Sequence, residues 1–269
     1  MNFNITLLCY KVVYLCSRSV GGKPVIDPYE IFSRRGKSLP SNRVLLFFTK
    51  YLFKTARKPL ENCEEVKYSG LIARSVKGRY SEKELLLALP YFGAPAAVAA
   101  LEALIAGGEV FIVVGEAGAV SPALRIGDVL VPTWGLREEG ISYHYAPSDY
   151  VPRPDPQLAN VLFTEVNKLK GRRRIKVLKG GIWTIDAIFR ETKDKIDEYS
   201  RMGILGVDME STALMTVASY RKAKLAIVAS ISDELYGAEW RVGFKTRKLR
   251  KTERIIVEAA LKTAAQYDQ

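Results

Sequence analysis

The chain has 269 residues, 48% of them hydrophobic, a mean hydropathy of −0.01 and a formal charge of +12. That length and apolar content suit one large α/β domain over residues 1–269, and no run of 18 apolar residues argues for a membrane helix. A single histidine, His144, and three cysteines without ligand spacing argue against a histidine-built metal site and for reduced cysteines in the cytoplasm.

The first 65 residues are the least patterned. Residues 5–16, ITLLCYKVVYLC, are apolar around Lys11 and lack a small-residue cleavage site, so they read as a strand rather than a signal peptide. Turn-rich stretches at 21–24 and 36–42 follow. Apolar spacing over residues 43–54 predicts a helix, capped by Ser41 or Asn42. Residues 85–89 form a short apolar run into Pro90.

Pro95 and the alanines after it predict a helix to Ile105, ended by Gly107 and Gly108 and packed closely on a sheet. Residues 110–114, VFIVV, carry no polar alternation and predict a strand covered on both faces. Gly115 and Gly118 then predict a sharp turn whose N–H groups form a nest for an anion or hydroxyl. A second turn at 125–128 leads into a strand at 129–132. Residues 137–147, REEGISYHYAP, are polar and aromatic and predict a loop over a pocket. Beyond them the pattern predicts helices at 157–169, 193–201, 208–221 and 252–266. Strands are predicted at 175–178, 181–184, 204–207 and 225–232. Alternating strands and helices indicate an α/β fold.

Basic residues cluster at 168–176, KLKGRRRIK, and 245–254, KTRKLRKTER. Neither run interleaves aromatics or matches a nucleic-acid module, so both read as solvated faces and turns, with no nucleic-acid partner expected. The positive charge would attract anionic substrates.

Two acidic stretches sit where strands end. In VDMES, residues 207–211, a carboxylate could accept hydrogen bonds from the vicinal hydroxyls of a ribose, with Met209 against the sugar. Equally, Asp208 could cap a helix and Glu210 favour its dipole. In SDEL, residues 232–235, Asp233 could protonate a leaving group or cap a turn.

Taken in order, GEAGAVSPALRIGDVLVP, REEGISYHYAP, WTIDAIFRET, GVDMES and SDEL resemble the nucleoside phosphorylase family of hexameric purine nucleoside phosphorylases and uridine phosphorylases. The resemblance runs from about Gly93 to Leu235. It implies a three-layer α/β/α sandwich around a mixed, partly barrelled sheet, and a homo-oligomer built as a dimer or a trimer of dimers. It also implies exchange of a nucleoside's N-glycosidic bond for phosphate, giving free base and ribose 1-phosphate, with phosphate as co-substrate and no metal or other cofactor.

Carried over by position, Met209 and Glu210 hold the ribose, and Asp233 supplies a proton to the purine base. Phe189 and Arg190 line the base pocket, Gly115 lies in the nest, and Arg43 is the nearest remnant of an early phosphate contact. Two positions depart from the family. Its phosphate-binding arginine and threonine or serine are here Val113 and Glu116. Either an arginine such as Arg43, Arg74 or Arg79 neutralises Glu116, or Glu116 activates water in a hydrolytic nucleosidase of the same fold. A non-catalytic nucleoside-binding protein is a third reading. Asp233 favours a purine nucleoside, with uridine next.

Overall fold

Branched runs become the strands of one ten-stranded sheet, and alanine-rich or amphipathic segments become helices on both its faces. The computed structural model describes residues 22, 24–34, 39 and 41–267. The strand expected at residues 5–16 lies outside them.

The strands are β1 (Arg43–Phe47), β2 (Glu61–Glu65), β3 (Ile72–Tyr80), β4 (Lys83–Pro90), β5 (Val110–Ala119), β6 (Val129–Glu138), β7 (Val177–Ile185), β8 (Ile204–Asp208), β9 (Lys224–Glu234) and β10 (Arg241–Val242). The helices are α1 (Pro28–Arg34), α2 (Lys50–Arg57), α3 (Ala94–Ile105), α4 (Pro156–Lys170), α5 (Lys193–Arg201), α6 (Ser211–Tyr220) and α7 (Arg247–Gln266). The strand order is β10-β9-β6-β7-β8-β5-β1-β4-β3-β2, and β9 also pairs with β5. That extra pairing closes β5, β9, β6, β7 and β8 into a ring, while β1, β4, β3 and β2 extend from it as an open sheet. Parallel pairs (β1 with β4 and β5, β5 with β9, β6 with β7) mix with antiparallel ones (β5 with β8, β6 with β9).

The unalternating apolar run of β5 has its expected cause. Ile112 and Val114 pack with α2, α4 and α7, through residues such as Phe53, Leu162 and Ile256. Phe111 and Val113 face the other way, toward Leu101 of α3 and Leu214 of α6. Each fully buried Leu or Ile contributes roughly 1.5–3 kcal/mol, so both layers hold the sheet. The alanines of α3 at positions 94, 97, 100 and 103 are all buried, which lets that helix lie close against its neighbours. A third cluster, around Trp183, Ile185 and Ile196, seats α5 beside the ring.

Among the elements, the structure departs from the sequence pattern most clearly at residues 43–54, 115–119 and 175–184. Residues 43–54 are not one helix: Arg43–Phe47 is a strand held parallel between β4 and β5, and the helix begins only at Lys50, capped by Thr49. The turn expected at 115–119 is absent: β5 continues through Gly115 and Gly118 and stays paired with β9, with only a register shift between Ala117 and Gly118. The separate strands at 175–178 and 181–184 are one strand, β7. Glycine interrupts its pattern because a Cβ at Gly180 would come within 2.4 Å of Leu205, and one at Gly181 within 2.5 Å of Trp134. Among the described residues no helix is long and apolar enough to cross a membrane.

Candidate functional site

β1, β4, β5 and β9 run parallel, so their C-terminal ends gather at one edge of the sheet, where open α/β sheets bind ligands. A cavity of about 470 Å³ opens there, within the size range of small-molecule sites. Its wall takes Phe48 and Thr49 from the end of β1, Phe92 from beyond β4, and Glu116 and Gly118 from β5. Asp208, Met209 and Glu210 come from the end of β8, Ser232 and Asp233 from β9, and Phe189 and Glu191 from beyond β7. Trp240 and Phe244 close one side, their rings edge to face at 6.4 Å.

Asp208 and Glu210 divide the two roles open to them in the sequence. Asp208 is the cap: it accepts the Ser211 N–H at 3.2 Å and the Thr184 hydroxyl at 2.7 Å. Burial holds its carboxyl above the usual carboxylate range, against the pull of those hydrogen bonds. Glu210 makes no such cap. Its buried carboxyl reaches across to accept the Gly93 N–H at 2.7 Å, at the start of α3. Burial and the Asp208 charge push Glu210 up to about 8, although the Gly93 and Met209 amides oppose the shift. One carboxyl is therefore committed to the fold, and the other has an oxygen to offer a ligand.

Asp233 was expected in a loop, but it lies in β9. Ser232 donates its hydroxyl to one Asp233 oxygen at 2.6 Å, and Trp240 its indole N–H to the other at 2.7 Å. Gly118 gives this side chain its space, since a Cβ there would stand 3.2 Å from the Asp233 carboxyl and 2.4 Å from Leu235. Close by, burial and the Asp233 charge push Glu191 up to about 7. Phe189 stands at the mouth, 97% exposed.

Glu116 lies on the β5 wall, facing α7. There Glu253, 0% exposed, takes two hydrogen bonds from Arg250, at 2.7 and 2.9 Å. Burial, a hydrogen bond with Glu253, and the charges of Glu253 and Asp233 push Glu116 up to about 7, while Arg250 pulls it down.

The arginine near Glu116 is thus Arg250, and none of the three expected ones. Arg43 sits at the far end of β1 from the cavity and donates to the Ala264 carbonyl at 2.9 Å and to that of Tyr267, satisfying the last turn of α7. Arg74 pairs with Glu65 and lies over the Phe53 ring. Arg79 stands on β3 opposite Glu84 and Glu61.

Other expected residues also fall outside the wall. Gly115 is paired with Ala229 in the sheet and forms no nest. Arg190 ends a short 3₁₀ turn, exposed, beside the lining residues Phe189 and Glu191. Val113 is buried in the core. The segment 137–147 does not cover the cavity: Arg137 donates to Ser142, Ala146 and Pro147, and buried Glu139 accepts the Ile141 and Ser142 N–H groups, so it folds on itself.

Several lining residues escaped the sequence pattern. Phe48 and Thr49 were hidden inside the expected helix. Glu191 lies inside the motif WTIDAIFRET without a role of its own, Trp240 and Phe244 carry no motif, and Glu253 sits in a basic run that suggests a solvated face.

Electrostatically the wall is one-sided. Five carboxyls line the cavity, from Glu116, Glu191, Asp208, Glu210 and Asp233; among the described lining residues there is no Lys or Arg. A phosphate about 4 Å from any one ionised carboxylate would be repelled by about 4 kcal/mol per unit charge at an effective dielectric of 20.

A family model described as the phosphorylase superfamily matches residues 44–262, so the likeness begins well before Gly93. The chain is 26% identical over 198 residues to the uridine phosphorylase of Escherichia coli (strain K12), covering 66% of this chain and 75% of that protein. It is 23% identical over 188 residues to the guanosine phosphorylase of Halorubrum lacusprofundi, covering 70% and 76%. Among solved structures, the purine nucleoside phosphorylase of Toxoplasma gondii in complex with immucillin-H superposes with a TM-score of 0.74 at 19% identity, over 84% of this chain and 90% of that one.

Proposed function

The chain belongs to the phosphorylase superfamily, and on that premise we propose that it is an enzyme that breaks the N-glycosidic bond of a nucleoside and releases the free base, with a purine nucleoside preferred to uridine. The observation that carries this reading is that Glu210 and Asp233 open into one cavity of about 470 Å³, with Met209 and Phe189 in the same wall.

The two carboxyls suit the two ends of such a substrate. A ribose presents vicinal hydroxyls, and Glu210 has a carboxyl oxygen for them beyond the one that Gly93 occupies. As the bond breaks, its electron pair leaves on the base, which must take up a proton. Asp233, oriented by Ser232 and Trp240, is the proposed donor to the base, and Glu191 beside it is a second acidic group from which a proton can be replaced. The Phe189, Trp240 and Phe244 rings offer apolar area for a base. The names of relatives, one acting on uridine and one on guanosine, support the reaction class and leave the base open. The same reading includes a cytoplasmic homo-oligomer, which the exposed aromatics at the mouth, Phe92, Phe189 and Trp240, favour; analytical ultracentrifugation measures it.

The test is incubation of the purified protein with inosine, adenosine, guanosine and uridine, with and without phosphate, and chromatography for free base. Release of base supports the reading, fastest from a purine nucleoside. Binding of nucleoside without release under either condition would replace it with a nucleoside-binding role.

A further inference from the structure

We propose that the nucleophile in this cavity is water rather than phosphate, and that Glu116 is the base that takes its proton. The inference rests on the nucleoside-cleavage reading above and concerns only the acceptor. A phosphate anion needs cations or N–H groups at its site, and the described wall residues include no Lys and no Arg. β5 stays extended there, with Gly115 and Glu116 in register with Ala229 and Ser230 of β9, so this stretch does not curl into an anion nest. Arg250, whose charge acts on Glu116, holds both oxygens of Glu253 through its Nη1 and is not in the wall.

The same arrangement suits water. Glu116 stands on the wall with Glu253 behind it and Asp233 beside it, and a water between Glu116 and the sugar meets a carboxylate acceptor. The groups that act on its charge are Glu253 and Arg250 from α7 and Asp233 from β9. Burial, Glu253 and Asp233 hold it up to about 7 against the pull of Arg250, so it is about half ionised at neutral pH and well matched to proton abstraction.

In the step, the C1′–N bond breaks and its electron pair leaves on the base, which is protonated from the Asp233 end. The water oxygen bonds to C1′, and the water proton passes to the Glu116 carboxylate, where the hydrogen bond with Glu253 shares it. The products are free base and free ribose, and no co-reactant other than water is consumed.

Wild-type protein exchanged into phosphate-free buffer, incubated with the four nucleosides in water labelled with heavy oxygen, tests this directly. The expected result is equal release of base and free ribose, with label in the ribose and no requirement for phosphate. Glu116→Gln should lower that release by roughly 10²–10⁴-fold, with its fold checked by circular dichroism; should the variant not fold, Glu116→Asp, which keeps the acid but withdraws it from the water, takes its place. Base release that requires phosphate and yields ribose 1-phosphate would overturn the water assignment and leave nucleoside cleavage standing. Wild-type rates in a folded Glu116→Gln protein would overturn the role of Glu116. No release under any condition would overturn both the acceptor and the cleavage reading.

Discussion

Glu116→Gln should also stabilise the protein, by an amount that grows with pH over a defined window. Its surroundings hold the Glu116 carboxyl at about 7, against an ordinary value of 4.5. Between those values the unfolded chain releases a proton that the folded protein keeps, so rising pH lowers wild-type stability at this site. Glutamine has no proton to lose, and its amide can still donate to the Glu253 carboxylate. The gap between variant and wild type should therefore be near zero below pH 4.5, open as pH rises, and be complete above about 7. A rise from 4.5 to about 7 corresponds to on the order of 3 kcal/mol, and partial solvent access makes that an upper figure. For a chain of this size it amounts to roughly 5 °C in Tm. Differential scanning calorimetry of both proteins across this pH range reads the gap. A gap that does not change with pH, or a variant less stable than wild type throughout, would refute the crowding of Glu116 by Glu253 and Asp233.

Glu210→Gln should leave the fold intact, because its side-chain carbonyl can still accept the Gly93 N–H, but above about pH 8, where the wild-type carboxyl is ionised, it should lower kcat/KM by about 10–100-fold through loss of a charge-assisted bond worth roughly 1.5–3 kcal/mol. In wild type, nucleoside binding that uses the carboxylate should tighten as pH rises through about 8; titration calorimetry should find this dependence absent from the variant. Asp233→Asn should depress cleavage of ordinary purine nucleosides far more than cleavage of substrates whose leaving groups need no proton, and equal losses on both would make Asp233 a structural group. Arg250→Met should destabilise the protein by about 3–5 kcal/mol in chemical denaturation, because it leaves the Glu253 charge buried and unpaired; a loss under 1 kcal/mol would refute the weight given to that pair.

The strands and helices that surround the site were largely legible, since two-sided burial writes an unbroken apolar run such as residues 110–114 and one-sided packing writes the alanines of α3. The end of a strand was harder to read. Gly115 and Gly118 look locally like a turn, yet Gly118 is glycine because Leu235 and Asp233 press on β5 there, a contact set by ring closure and invisible in a single segment. Met209, Glu210, Asp233, Glu116 and Phe189 were named from sequence and meet in one cavity. Arg43 was not separable from a ligand by spacing, because its role depends on where the C-terminus of α7 arrives. Glu253 was missed for the converse reason. Its neighbours in sequence are basic and exposed, and only the crossing of α7 over β5 buries it against Glu116.

On this reading the cavity binds a nucleoside with its sugar on Glu210 and its base on Asp233. A crystal structure of the protein with a C-nucleoside, whose carbon–carbon bond to the base cannot be cleaved this way, tests it most directly. Both ribose hydroxyls should lie at about 2.6–3.2 Å from the Glu210 carboxyl, with the base between Phe189 and Trp240 and a ring nitrogen facing Asp233. A nucleoside bound in the reverse sense, with its base on Glu210, or bound outside this cavity, would contradict it.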